Sequence, residues 1–160
     1  MLKLTKRLKA IVDFVDEYET IIDVGTDHGK VPITLANMGK AKNIIATDIN
    51  VGPLNACIEN AKKYVTNKNV SMSFIKTNGL IGIDKELDCE VIISGMGFDL
   101  ISEILANIRE YSIKELIVSP HTKPAEFVKL MSRLGFDIIG TRTIFEEDKC
   151  YFVFKCIKIS

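Results

Sequence analysis

The sequence predicts an α/β fold, a doubly wound and mostly parallel seven-stranded sheet finished by a C-terminal β-hairpin. Three observations carry that expectation. Short apolar runs of buried-strand type alternate with amphipathic helical stretches as far as Gly135, and such alternation requires parallel strands joined by right-handed crossovers. Two long β-rich runs then close the chain with no helix between them. The segments following each strand are polar and glycine-rich, as expected at the sheet edge where folds of this kind hold ligands.

The order of elements begins with a helix. Leu4, Leu8, Ile11, Val12 and Val15 share one helical face, giving an amphipathic helix packed against the rest of the domain. Ile21 to Val24 is a buried strand, and Val31 to Met38 a helix with Pro32 in its first turn and Gly39 as its stop. A second strand, Asn43 to Ile49, ends on Asp48, and a helix from Pro53 to Tyr64 carries the apolar stripe Leu54, Ile58, Ala61 and Val65. Strands at Val70 to Ile75 and Cys89 to Ser94 precede a helix at Leu100 to Arg109. A fifth strand, Leu116 to Ser119, leads to a helix from Pro124 to Leu134 closed by Gly135. Phe136 to Phe145 and Tyr151 to Ile159 form the hairpin, which adds an antiparallel strand to one sheet edge.

At 160 residues, 47% of them hydrophobic, the chain can bury one core. It reads as a single domain over residues 1–160, with residues 1–18 as a helix packed on it. The formal net charge is zero, so no global field draws in a polyanion, although Lys3, Lys6, Arg7 and Lys9 make the N-terminus locally basic. No run approaches the ~18 apolar residues of a membrane span, and charge interrupts the first residues where a secretory leader would be apolar, so a cytoplasmic protein is expected. Cys57, Cys89, Cys150 and Cys156 include no C-x-x-C pair and no histidine at ligand spacing; they read as reduced, mostly buried residues, and no metal site is expected.

The run Ile21 to Pro32, I-I-D-V-G-T-D-H-G-K-V-P, is the most informative. A buried strand passes into a glycine loop that opens a helix, the geometry of nucleotide sites, yet the spacing is Gly25-x-x-x-Gly29 with Asp27 between. A carboxylate there repels phosphate. It suits a ligand with an adenosine body and a cationic middle, of which S-adenosylmethionine is the common example. Asp48, about twenty residues beyond the glycine turn, can accept hydrogen bonds from both ribose hydroxyls, or reads as a turn or capping aspartate. Asp23, inside an apolar strand, needs a partner, either loop N–H groups or a ligand ammonium. Asp27 reads as the cap of the helix near Lys30, as part of the pocket, or as both. His28 divides between a structural role and substrate contact, and His121 between a loop or capping residue and the same rim. Asn78 and Gly79 follow the third strand. Gly95, Met96, Gly97 and Phe98 follow the fourth, where two glycines allow close approach to a ligand and Phe98 either stacks on a base or belongs to the core.

The layout is that of the class I S-adenosylmethionine-dependent methyltransferases, a Rossmann-like fold, and the motifs are more specific. Leu4-Thr5-Lys6-Arg7-Leu8, Asp23-Val24-Gly25-Thr26-Asp27-His28, Pro32, Asn50-Val51-Gly52-Pro53-Leu54, Gly79-Leu80 and Gly95-Met96-Gly97 resemble, in order, the L-S-x-R-L, D-I-G-S-D-H, loop proline, N-x-G-P-L, G-D-G-L and G-M-G-G of the bacterial tRNA (adenine-22-N1)-methyltransferase (TrmK) family. The chain departs from the family pattern at Lys30, Asn78, Phe98 and Ser119-Pro120-His121. Family members also continue past the hairpin into a helical region thought to help hold tRNA, so the resemblance covers the catalytic domain. It implies that Asp23, Gly25, Asp27, Asp48, Ile49, Asn78, Gly79, Gly95 and Met96 bind S-adenosylmethionine. It also implies that Arg7, His28 and the region after Gly95 face tRNA, with His28 and Asp27 nearest the chemistry; Lys30, Gly97, Phe98 and His121 complete the candidate substrate side. The expected activity is methylation of adenine N1 in tRNA. A small-molecule methyltransferase and a non-catalytic cofactor-binding domain that needs a partner chain are the competing readings, and the oligomeric state is left open.

Overall fold

The computed structural model describes residues 2–159. Its elements run α1 (Lys6–Phe14), β1 (Tyr18–Val24), α2 (Lys30–Met38), β2 (Ala41–Asp48), α3 (Val51–Tyr64), β3 (Ser71–Lys76), β4 (Glu90–Met96), α4 (Phe98–Leu105), β5 (Glu115–Pro120), α5 (Pro124–Leu134), β6 (Phe136–Glu146) and β7 (Lys149–Lys158), with a 3-10 turn at Ile108–Glu110. The seven strands form one sheet in the order β3-β2-β1-β4-β5-β7-β6. The expected elements are all present, with two differences of substance.

The first concerns the hairpin. It does not simply append an antiparallel strand to the edge: β7 pairs antiparallel with both β5 and β6, so it lies inside the sheet and β6 is the edge. The crossover from β5 through α5 brings β6 back parallel to β5, one strand position away, and β7 fills the gap. The second is α4, which starts two residues early and stops at Leu105 before the 3-10 turn.

Because successive strand residues face opposite sides, the central strands feed two cores. Ile22, Val91, Ile93, Leu116 and Val118 point toward Leu105, Phe127 and Met131 of α4 and α5. Ile21, Ile92 and Ile117 point toward Ile11, Val12, Val31 and Leu35 of α1 and α2. The N-terminal helix is capped by Thr5, whose hydroxyl accepts from the Leu8 N–H at 3.2 Å, and is tied to the hairpin through the Lys6 N–H, which donates to Glu146 Oε2 at 2.7 Å. Its first turn lies by the C-terminal ends of the strands, where Arg7 and Leu8 reach the cavity described below.

At the opposite end, where β4 and β5 begin, Glu90 and Glu115 are buried. Lys155 Nζ reaches Asp16 at 2.7 Å and Glu115 at 3.1 Å, the Tyr18 hydroxyl donates to Glu115 at 2.7 Å, and neither Glu90 oxygen has a hydrogen-bond partner. Burial first, then the neighbouring Glu115, hold the Glu90 carboxyl well above the carboxylate range.

Candidate functional site

The first strand ends in a loop folded for close approach. Gly25 has φ 72° and its N–H, like that of Thr26, donates to Thr47 O at 2.9 Å, so the loop is pinned across to the end of β2. Gly29, at φ 82°, is the residue that enters α2, and a β-carbon there would stand 2.7 Å from Cys57 Sγ. Only glycine meets both demands. Beneath the loop, Thr26 Oγ1 and Cys57 Sγ lie 3.7 Å apart, and burial pushes the Cys57 thiol up to about 11, so it packs as a neutral group.

Asp27 is not the cap of α2. It has φ 53° and its side chain turns to His28, with Oδ1 2.9 Å from Nδ1, while the N-terminal position of the helix belongs to Gly29 and carries no side-chain cap. The Asp27 N–H donates to Asp48 Oδ2 at 3.2 Å, and the Asn50 N–H to Asp48 Oδ1 at 3.0 Å. Asp48 is therefore fixed at the end of β2, and each oxygen keeps a lone pair for another donor.

A cavity of about 630 Å³ opens over these strand ends. Asp23, Gly25, Thr26, Asp27, His28, Lys30, Asp48, Ile49, Asn78, Gly79, Gly95 and Met96 all line it, and α1 contributes Arg7. Gly97, Phe98 and His121 do not. Phe98 begins α4, donates its N–H to Thr122 Oγ1 at 2.9 Å and lays its ring against the core. His121 is held one step outboard, its N–H donating to Met96 O at 2.8 Å and its ring 5.6 Å from that of Tyr151. Desolvation first, then Arg7 and Lys149, lower the His121 pKa, which favours neutral imidazole.

Asp23 is the electrostatic centre of the cavity. It is buried, and Oδ1 has no hydrogen-bond partner; the loop N–H groups expected to meet it bond elsewhere. Desolvation above all, reinforced by Asp48 and Asp27 against a partly offsetting bond from Thr26, pushes its carboxyl up to about 7. Three carboxylates converging on one cavity disfavour an anion there and favour a cation. A cationic adenosine derivative fits this set of acceptors: an ammonium donating to the orphaned Asp23 oxygen and ribose hydroxyls donating to the free lone pairs of Asp48.

Several lining residues were not singled out from sequence. Thr47, Thr77, Ser94 and Ile104 belong to the wall; Thr47 and Thr77 sit at strand ends beside residues already named, a positional cue, whereas Ile104 reaches the cavity from the second turn of α4 by packing against Gly79, which no sequence pattern records. Among the described residues no helix is long and apolar enough to cross a membrane.

Known proteins share this fold. A family profile described as a methyltransferase domain matches residues 4–154. The tRNA (adenine(22)-N(1))-methyltransferase of Bacillus subtilis is 29% identical over 154 residues, which cover 95% of this chain and 64% of that protein, so the chain spans less than two thirds of that relative. The structure of M. capricolum TrmK in complex with S-adenosyl-homocysteine superposes with a TM-score of 0.86 at 29% identity, covering 97% of this chain and 69% of that one. The B. subtilis TrmK crystal structure gives 0.86 at 25% identity, covering 99% and 68%. The resemblance seen in the motifs thus extends across the fold. With the profile spanning nearly the whole sequence, from α1 to β7, the chain belongs to the methyltransferase domain family.

Proposed function

We propose that this protein is an S-adenosylmethionine-dependent methyltransferase that methylates N1 of adenine in tRNA, acting in the cytoplasm as one unit over residues 1–160. The observation that carries the reading is the orphaned, buried Asp23 oxygen in a cavity lined also by Asp27 and Asp48, a site built for a cationic adenosine derivative. Kinship with TrmK across 95% of the chain supports the substrate.

When bound, S-adenosylmethionine would supply an electrophilic methyl group. Asp23 would take its ammonium, Asp48 its ribose hydroxyls, and Ile49, Asn78, Gly79, Gly95 and Met96 would enclose the remainder. The chain's own chemistry is positioning. Adenine N1 carries an in-plane lone pair and is unprotonated at neutral pH, so it attacks without prior removal of a proton. The base must leave its stack and meet the face carrying His28 and Lys30. The Asp27 carboxylate can only accept, so the Nδ1 facing it carries the hydrogen, and in that tautomer Nε2 would accept from the exocyclic amine. Asp27 then offsets the positive charge that forms on the methylated ring.

The test is methyl transfer from labelled S-adenosylmethionine to unmodified tRNA transcripts, with mass spectrometry of the digested nucleosides. Formation of 1-methyladenosine is expected. Another methylated base would overturn the assigned position, and no transfer by folded protein would overturn the autonomous tRNA enzyme in favour of a small-molecule methyltransferase or a domain needing a partner.

A further inference from the structure

The rim of the cavity is electrically divided. Asp23, Asp27 and Asp48 gather at the ends of β1 and β2, while the corner formed by α1, β7 and the turn after β5 is cationic and aromatic. There the Arg7 guanidinium carbon lies 5.4 Å from the centre of the Tyr151 ring, and the His121 ring leans on the same tyrosine at 5.6 Å with an interplanar angle of 58°. Three separate parts of the chain meet in this stack. The carboxylate facing the corner, Glu146, is already engaged by the Lys6 N–H at 2.7 Å.

Arg7 is left incomplete by its surroundings. Its Nη1 is shut away from water without a hydrogen-bond partner, yet the side chain lines the cavity. Burial lowers the pKa of this guanidinium, with Tyr151 and Glu146 acting the other way. Among the described residues no carboxylate pairs with this guanidinium, and a phosphate matches the donor fork that it brings to the cavity wall. Tyr151 and His121 do not line the cavity themselves; the tyrosine ring packs on the arginine and the histidine ring packs on the tyrosine.

We propose that Arg7 forms a phosphate subsite for the RNA strand carrying the target base, and that Tyr151 is the positioning residue that holds it. This rests on the RNA reading of the site. The acidic side of the cavity would take the cationic cofactor and the basic corner the polyanion, so the two ligands are sorted by charge before any base is read. A phosphate held here fixes the strand beside the flipped nucleotide without contacting the base.

The experiment is tRNA binding by fluorescence anisotropy from 50 to 300 mM KCl, for the wild-type protein and the Arg7→Gln, Tyr151→Leu and Tyr151→Phe variants, with S-adenosylhomocysteine affinity and thermal melting measured in parallel. A wild-type Kd that rises steeply with salt is the signature of phosphate contacts; a wild type that does not bind tRNA overturns the RNA reading itself. Given that binding, Arg7→Gln is expected to lower the slope of log K against log salt by about 0.7 to 0.9, the share of one phosphate contact, and to leave S-adenosylhomocysteine affinity within twofold. Tyr151→Leu should reproduce that loss and Tyr151→Phe should retain the wild-type slope, since the ring and not the hydroxyl supports the guanidinium. An unchanged slope in Arg7→Gln overturns the subsite. So does a tenfold loss of S-adenosylhomocysteine affinity in that variant, which would assign the arginine to the cofactor's carboxylate. A wild-type slope in folded Tyr151→Leu overturns the positioning role, and should that variant not fold, loss of slope in Tyr151→Phe overturns it.

Discussion

Replacing Asp23 by Asn changes the charge of the cavity without changing its shape, and the consequence can be worked from the structure. An ordinary aspartate value of 3.8 becomes about 7 in the folded protein, which places roughly 4 kcal/mol on the ionised form, as an upper figure. The folded state therefore holds a proton that the unfolded chain has released throughout the window from about pH 4 to about 7. Stability falls as pH rises through that window and is fully reduced above it. Asparagine has no such titration, although its own buried amide displaces the variant's stability by a constant. The informative quantity is the difference between the two proteins. From pH 5 to pH 8 the variant should gain about 3 kcal/mol relative to wild type, or roughly 5 to 10 °C in Tm for a chain of this size. Thermal unfolding at unit steps of pH measures it. A Tm difference that stays constant from pH 5 to pH 8 would refute the electrostatic account of Asp23. In the same samples the variant should bind S-adenosylhomocysteine at least tenfold more weakly at pH 8, since the ammonium loses its counter-charge.

Neighbouring features lead to other outcomes. Gly29→Ala combines a left-handed backbone with a β-carbon 2.7 Å from Cys57 Sγ, and should lower stability by about 2 to 3 kcal/mol in denaturant titration; adding Cys57→Ala should recover the steric part, a coupling a double-mutant cycle would read. Glu90→Gln removes a carboxyl that burial and Glu115 hold protonated. Wild-type stability should therefore fall as pH climbs above the ordinary carboxylate range, and the variant's should fall less; parallel curves would contradict this. His28→Ala should reduce single-turnover methyl transfer to tRNA by about 10²-fold with cofactor affinity retained, and an unchanged rate would remove His28 from the chemistry.

Much of this molecule was legible in its sequence because apolar periodicity is a direct record of burial. Ile21, Ile22, Val91, Ile92, Ile93 and Leu116 to Val118 announced the central strands, and Gly39 and Gly135 the ends of α2 and α5. The start of β1 at Tyr18 was hidden because Tyr18, Glu19 and Thr20 are polar or amphipathic, and pairing with β2 sets that boundary. Gly95 concealed the extension of β4 to Met96 through an irregular register beside β5. In the site, the glycine loop and the acidic strand ends were readable because their spacing is local. Arg7 was singled out through its motif, but its alignment with Tyr151 was not readable, since residues 144 positions apart in sequence meet only through the placing of β7. Nor could a list of residue types show that Phe98 turns to the core while Ile104 reaches the cavity.

The interior position of β7 bears on how a nascent chain acquires this shape. Until residues 149–158 have left the ribosome, β5 has a bare edge along Glu115–Val118 and β6 has no neighbour, which is the kind of exposed strand that invites pairing with another molecule. The last strand also carries Lys155, whose ammonium donates to Phe14 O at 2.9 Å and anchors the end of α1. The corner joining Arg7 to Tyr151 therefore cannot assemble during synthesis of the glycine loop. The acidic side draws on residues up to Asp48, whereas the basic side waits for β7.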